Sequence, residues 1–247
     1  MSELTADDLY QRGAATLLAA WEEHARGADG AAVRRYPGIA VAVFPLGPER
    51  GVYNNALPER DLGPARRREA LDALAETYAA AGIADFAVWV HESDLAMRRD
   101  VERRGYTYRE ATRAMGMSLA GLRLPQPRLD LAPPGWGWAD YLRLVGVPAD
   151  FLARADPAAY HILIARLDGA NAATAMAFDH DGDCGIYNVG TLDHARRRGL
   201  GSALTALLVH NALDRGCRTA SLQSTPTAER IYANIGFRDL GRILEYG

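Results

Sequence analysis

The segment His194-Ala-Arg-Arg-Arg-Gly-Leu-Gly-Ser202 has the residue types and spacing of an anion-binding turn. Glycines at 199 and 201 let backbone N–H groups converge on one point without side chains in the way. A helix predicted to start here adds its unpaired first-turn donors and a positive end of about half a charge. That combination suits a pyrophosphate. The Walker loop is excluded because it needs Gly-Lys-Ser/Thr, and every basic side chain of this chain is Arg or His, with no Lys. The dinucleotide loop needs G-x-G-x-x-G in a parallel βαβ unit with an acidic residue about 20 positions on. The spacing here is R-x-x-G-x-G instead. By itself that pattern also fits an Arg-rich, solvated turn.

A second element follows in Ala228-Glu-Arg-Ile-Tyr-Ala-Asn-Ile-Gly-Phe-Arg238. With it the chain resembles the GNAT (Gcn5-related N-acetyltransferase) superfamily, whose signature is R/Q-x-x-G-x-G/A followed later by Y-x-x-x-G-F. Arg196, Gly199 and Gly201 match the first part, and Tyr232, Gly236 and Phe237 the second; the likeness covers roughly residues 158 to 246. The resemblance implies acetyl-CoA, or another acyl-CoA, as co-substrate, and no metal. It implies contacts from Val189, Gly190 and Thr191 to the pantetheine arm. The pyrophosphate falls to Arg196, Arg197, Arg198, Gly199, Leu200, Gly201 and Ser202.

The implied chemistry is direct transfer to a primary amine. Such an amine has a pKa of about 10 and must lose a proton before it attacks. The departing thiolate must gain one, and by resemblance Tyr232 gives it. Without the flanking signature Tyr232 reads as an aromatic anchor on an amphipathic helix. No general base is evident. His180, Asp181 and Asp183 fall in a turn expected to be solvated, and His161 on a strand expected to pack. Gln223 and Ser224, at a strand end, are candidates for holding a water or the acceptor.

The elements that must position these residues follow from periodicity and turn residues. Tyr160–Arg166, Ala172–Phe178 and Cys184–Thr191 read as strands, with a turn over Asp179–Asp183. A helix runs from Gly201 on apolar positions Leu204, Leu207, Leu208 and Ala212, and Gly216 ends it. A strand at Thr219, a helix ending at Ala233-Asn-Ile-Gly-Phe237, and a final strand or hairpin (Gly236–Tyr246) complete the half. The expected class is α+β (mixed α/β).

The first half repeats this order. Gly51-Val-Tyr-Asn-Asn-Ala corresponds to Gly185-Ile-Tyr-Asn-Val-Gly, and Glu102-Arg-Arg-Gly-Tyr106 to the helix end before Phe237. A repeat this long implies a duplicated domain rather than a solenoid. The expectation is two GNAT-like domains, 1–122 and 123–247, each a twisted, mostly antiparallel sheet flanked by helices. The Pro-rich stretch 122–135 joins them. In the first, Arg60-Asp-Leu-Gly-Pro-Ala-Arg replaces the two-glycine turn, and Val101 stands where Tyr232 does. Proline donates no N–H and valine no proton, so this half reads as a degenerate copy. Tandem GNAT enzymes such as mycothiol synthase share the layout. The amphipathic helix Leu4–Arg26 is expected to pack on the first domain, and Trp136 and Trp138 could wall an acceptor pocket.

Composition bounds the partners. At 247 residues and net charge −3, no global field points to nucleic acid or membrane. The polar, acidic start is unlike a targeting segment, and no apolar run approaches the ~18 residues of a membrane span. A cytoplasmic protein, monomer or homodimer, is expected. Cys184 and Cys217 lack metal or disulfide-framework spacing and read as reduced core residues. A small-molecule amine is the expected acceptor; a protein or peptide N-acetyltransferase and a non-enzymatic acyl-CoA sensor are the alternatives.

Overall fold

A computed structural model describes residues 4–46, 53–133, 141–142, 144–146 and 154–247. The chain forms two compact units that are discontinuous in sequence. The C-terminal unit gathers residues 1–20, 114–150 and 156–240; the N-terminal unit gathers 21–113, 151–155 and 241–247.

In the C-terminal unit, β6 (His161–Leu167), β7 (Ala170–His180) and β8 (Asp183–Thr191) form an antiparallel meander. Both hairpins close on Asp-Gly pairs with φ of 53° and 82° at Asp168 and Gly169, and 48° and 74° at Asp181 and Gly182. Two consecutive positive φ values make the turn whose twist matches right-twisted strands. The second turn is thus tighter than the sequence implies: Asp179, His180 and Asp183 all belong to strands.

Helix α4 (Leu200–Asp214) packs on β6, β7 and β8, and β9 (Thr219–Ser224) returns parallel to β8. Leu204, Leu208, Val209 and Ala212 share a core with Ala173, Ala175 and Ala177, whose small side chains let the helix lie close. Each buried Leu contributes about 1.5–3 kcal/mol. Next come α5 (Glu229–Ile235) and the start of β10 (Arg238–Tyr246). The strand order is β6-β7-β8-β9-β5-β10, where β5 spans Tyr108–Ser118. The proline-rich connection is not wholly loose, since Ala132 N–H donates to Ile164 O (2.9 Å) and Asp130 O accepts from Arg166 N–H (2.7 Å) along β6.

The N-terminal unit has strands β1 (Ala32–Tyr36), β2 (Ile39–Val43), β3 (Asn55–Pro58) and β4 (Ala87–His91), then β10 and β5. Helices α2 (Pro64–Ala80) and α3 (Leu95–Arg103) bury Leu71, Leu74, Tyr78, Met97 and Val101. Residues 243–246 pair with β4, and Leu244 and Tyr246 fill this unit's core. The final element is therefore one strand, not a hairpin, and it ends in the other unit.

Helix α1 (Ala6–Gly27) also departs from the sequence expectation. Its first part belongs to the C-terminal unit, because glycines there admit it: Leu9 lies against Gly116, and Gly13 against Ser221. Only from Trp21, whose ring meets Trp89 edge-on at 5.4 Å, does it serve the N-terminal unit. No helix among the described residues is long and apolar enough to cross a membrane.

Candidate active site

The parallel ladder between β8 and β9 is short. It runs from Asp183↔Thr219 to Ile186↔Leu222 and stops. Beyond it β8 continues through Thr191, paired only with β7, while β9 continues through Gln223 and Ser224. The register of β8 against β7 shifts between Thr174 and Met176, and Asn188 there adopts φ 51°. An extra residue in one strand bends it and raises its twist. The bulge thus accounts for the divergence of β8 from β9. Leu192 N–H donates to Ala172 O on β7 at 2.9 Å. Period-two alternation then turns the N–H of Thr191 to the open side. Gly190 faces β7, opposite Thr174.

The turn after β8 leads into α4 through Gly199, at φ 78°. Left-handed backbone costs other L-residues about 1–2 kcal/mol. Nothing lies within 4 Å of where a Cβ would sit, so conformation rather than space calls for glycine here. A Cβ on Gly201 would meet Val189 Cγ1 at 3.5 Å and Thr191 Oγ1 at 3.7 Å, which is ordinary contact. The first helical amide with a protein partner is Ala203, donating to Gly199 O. Among the described residues, the N–H groups of Arg197 to Ser202 have none. An anion at the helix head would satisfy them.

The three arginines differ. Arg196 donates from Nε to Thr191 O (3.3 Å) and pairs with Asp193 at 2.8 Å, which ties the turn to the strand end. Arg197, itself at φ 62°, and Arg198 are exposed.

Tyr232 lies on α5 with its ring buried, edge to face with Phe237 at 6.2 Å. The intervening Gly236, at φ 119°, ends the helix, and Tyr232 O accepts from both Gly236 N–H and Phe237 N–H. The spacing Y-x-x-x-G-F is thus a helix terminus that folds the aromatic back on its own tyrosine. Tyr232 shares a cluster with Leu222, the last residue of β9 paired with β8, and Val189 and Leu200 pack against that cluster. Burial pushes the phenol's pKa up, so it stays protonated at neutral pH. Its hydroxyl has no protein partner among the described residues, yet it is not among the sealed, unsatisfied polar atoms.

The other candidates lie elsewhere or are occupied. His161 meets Asp179 at 3.4 Å, and Asp179 takes a double hydrogen bond from Arg215 (2.6 and 2.9 Å), all at the hairpin end of β7 away from the splay. Asp181 is exposed, as expected for a turn. Asp183 is not solvated. It is 2% exposed and accepts from Thr219 and Ser221 hydroxyls, both at 2.6 Å, because it pairs directly with β9. Ser224 is buried and donates to Thr225 O (2.9 Å), whereas Gln223 has no partner among the described residues. Cys184 and Cys217 are free and buried. Trp136 and Trp138 lie outside the described residues.

Sequence reasoning missed Asn188 and Tyr141. Asn188 Nδ2 donates to Tyr141 OH at 2.9 Å, and that hydroxyl meets Met176 Sδ at 3.3 Å. The sequence reads 184–191 as a plain strand, and nothing in it marked Asn188 as a bulge or tied it to Tyr141.

Residues 128–237 match the acetyltransferase (GNAT) family model. A GCN5-related N-acetyltransferase from Kribbella flavida superposes with TM-score 0.71 at 19% identity, over 96% of this chain and 95% of that one. A second, from Sphaerobacter thermophilus, gives 0.60 at 19% identity over 98% and 93%. An acetyltransferase of the GNAT family from Novosphingobium aromaticivorans gives 0.54 at 18% identity over 87% and 89%. The fold likeness thus extends over both halves. Comparison with curated proteins yields no match.

Proposed function

We infer, from the match of residues 128–237 to the acetyltransferase (GNAT) family model, that the chain moves an acetyl group from acetyl-CoA to the primary amine of a small molecule. One observation carries this reading. The β8–β9 ladder ends at Ile186–Leu222 beside a helix head whose amides, Arg197 to Ser202, have no protein partner. A pantetheine arm laid along β8 adds main-chain hydrogen bonds as an extra strand does. Its pyrophosphate meets the free amides. In this reading the Thr191 N–H polarises the thioester carbonyl as negative charge develops on oxygen.

Transfer then proceeds by attack of the neutral amine on the thioester carbonyl carbon. The C–S bond breaks, and Tyr232 gives its phenolic proton to the departing sulfur. The attacking nitrogen loses a proton to water, which Gln223 orders on the end of β9 that has parted from β8. Holding the two substrates together supplies much of the rate. A small amine suits the near-neutral charge balance, which offers no field for a charged polymer.

The test is thiol release from acetyl-CoA in the presence of aminoglycosides, amino acids, polyamines and peptides. Release with a small amine and little with peptides is expected. Acetyl-CoA binding without release for any acceptor would contradict the reading and favour a sensor.

A further inference from the structure

We propose that Asn188 Oδ1 accepts a hydrogen bond from the acceptor amine and so orients its lone pair toward the thioester. This rests on the acetyl-transfer reading and adds the group that holds the second substrate. Asn188 sits at the bulge where β8 leaves β9, next to Val189, where the pantetheine edge begins. Its φ of 51° is one that Asn tolerates better than most residues. That conformation turns the side chain out of the strand's alternation and leaves it exposed.

An exposed amide is ordinarily free to rotate, and this one is not. Its Nδ2 is held by Tyr141 OH at 2.9 Å. Tyr141 is 1% exposed, so the anchor is fixed, and its proton is directed to Met176 Sδ. The tyrosine therefore accepts, which sets the amide's sense: nitrogen on Tyr141, oxygen away from it. Among the described residues Oδ1 has no donor. A rigid, unfilled acceptor beside the reacting carbonyl matches a group rich in N–H donors, which an amine is.

The N-terminal unit supplies the contrast. In the repeat, Asn54 occupies the place of Asn188. There the side chain is 5% exposed and spent at both ends on Phe44: Oδ1 accepts Phe44 N–H at 2.7 Å, and Nδ2 donates to Phe44 O at 3.2 Å. The same residue type is spent at both ends on backbone in one unit and is left half-used in the other. Tyr141 acts through Asn188 and is a positioning residue.

The experiment compares wild type with Asn188→Gly, Asn188→Asp and Tyr141→Phe, using acetyl-CoA with glucosamine, spermidine, tyramine, lysine and kanamycin as acceptors. Glycine keeps the left-handed backbone and removes the oxygen, so the KM of the best amine should rise about tenfold or more while the KM of acetyl-CoA stays put. Asn188→Asp retains an acceptor oxygen but loses the donor to Tyr141, so its amine KM should rise far less than in Asn188→Gly. Tyr141→Phe frees the amide to rotate and should raise the amine KM by a smaller factor. An Asn188→Gly enzyme with unchanged amine KM, or with an equal rise in acetyl-CoA KM, overturns the assignment of Asn188 alone. A wild type that binds acetyl-CoA and releases thiol with none of these amines overturns the transferase reading itself, and this assignment with it.

Discussion

The Asp94 carboxylate accepts the backbone N–H of Asp61 at 3.2 Å. Asp61 lies in the loop between β3 and α2, which corresponds in the repeat to the turn between β8 and α4. The N-terminal unit therefore places its own anion against a loop that, in the C-terminal unit, leaves its amides free. The same carboxylate caps α3 through Met97 N–H at 2.9 Å, and Arg67 ties α2 to Leu62 O and Asp100.

The proposed function then predicts one acyl-CoA per chain. Calorimetric titration with acetyl-CoA should give a stoichiometry of one, and Asp94→Ala should leave it unchanged. That substitution should cost about 1–2 kcal/mol of stability through the lost cap. A stoichiometry of two would refute the degenerate status of the first unit.

The two glycines of the turn should respond differently. Gly199→Ala forces a side chain onto φ 78° and should weaken acetyl-CoA binding by about tenfold, through about 1–2 kcal/mol of strain. Gly201→Ala adds a methyl at ordinary contact distance from Val189 and Thr191, so affinity should stay within about threefold. Equal effects would mean that space, not conformation, governs the turn.

Acid should weaken the C-terminal unit in two steps. Burial, and then the Arg215 charge, hold the His161 pKa below its usual value, against the pull of Asp179. A histidine kept neutral in the fold loses stability as pH falls below the unfolded value of about 6.5. Asp179 titrates lower: burial opposes its charge, but the Arg215 hydrogen bonds and charge, with His161, outweigh it. Its contribution is present above the ordinary carboxylate range and is lost as pH falls through its depressed value. Melting temperature measured from pH 7 to 3 should fall in both windows, and His161→Gln should remove the first. An unchanged profile in that variant would contradict the assignment.

The rate should hold at high pH. Burial raises the Tyr232 pKa above 10, so loss of its proton cannot limit kcat/KM below that pH. A fall in kcat/KM with a midpoint near 8 would point to another acid.

Much of this site could be read from the sequence because local rules write it. Gly199 and Gly236 mark left-handed positions at a helix head and a helix end, and the Tyr232–Phe237 spacing is one helix turn plus its terminus. The splay itself was not legible, since a bulge at Asn188 depends on the register against β7. Asp183 misled because its neighbours Asp181 and Gly182 spell a solvated turn; only the parallel partner Thr219 makes it a buried acceptor. The sharing of α1 and β10 between units was equally hidden. Both are decided by which core accepts Leu9, Leu244 and Tyr246, not by their own periodicity.

The central claim is a transfer in which Tyr232 is the acid, and Tyr232→Phe tests it most directly. Phenylalanine keeps the edge-to-face packing on Phe237 and removes only the hydroxyl. With the best amine, the account predicts that kcat falls by about 10²–10⁴ while acetyl-CoA affinity stays within about twofold. Turnover near wild type in that enzyme would contradict it.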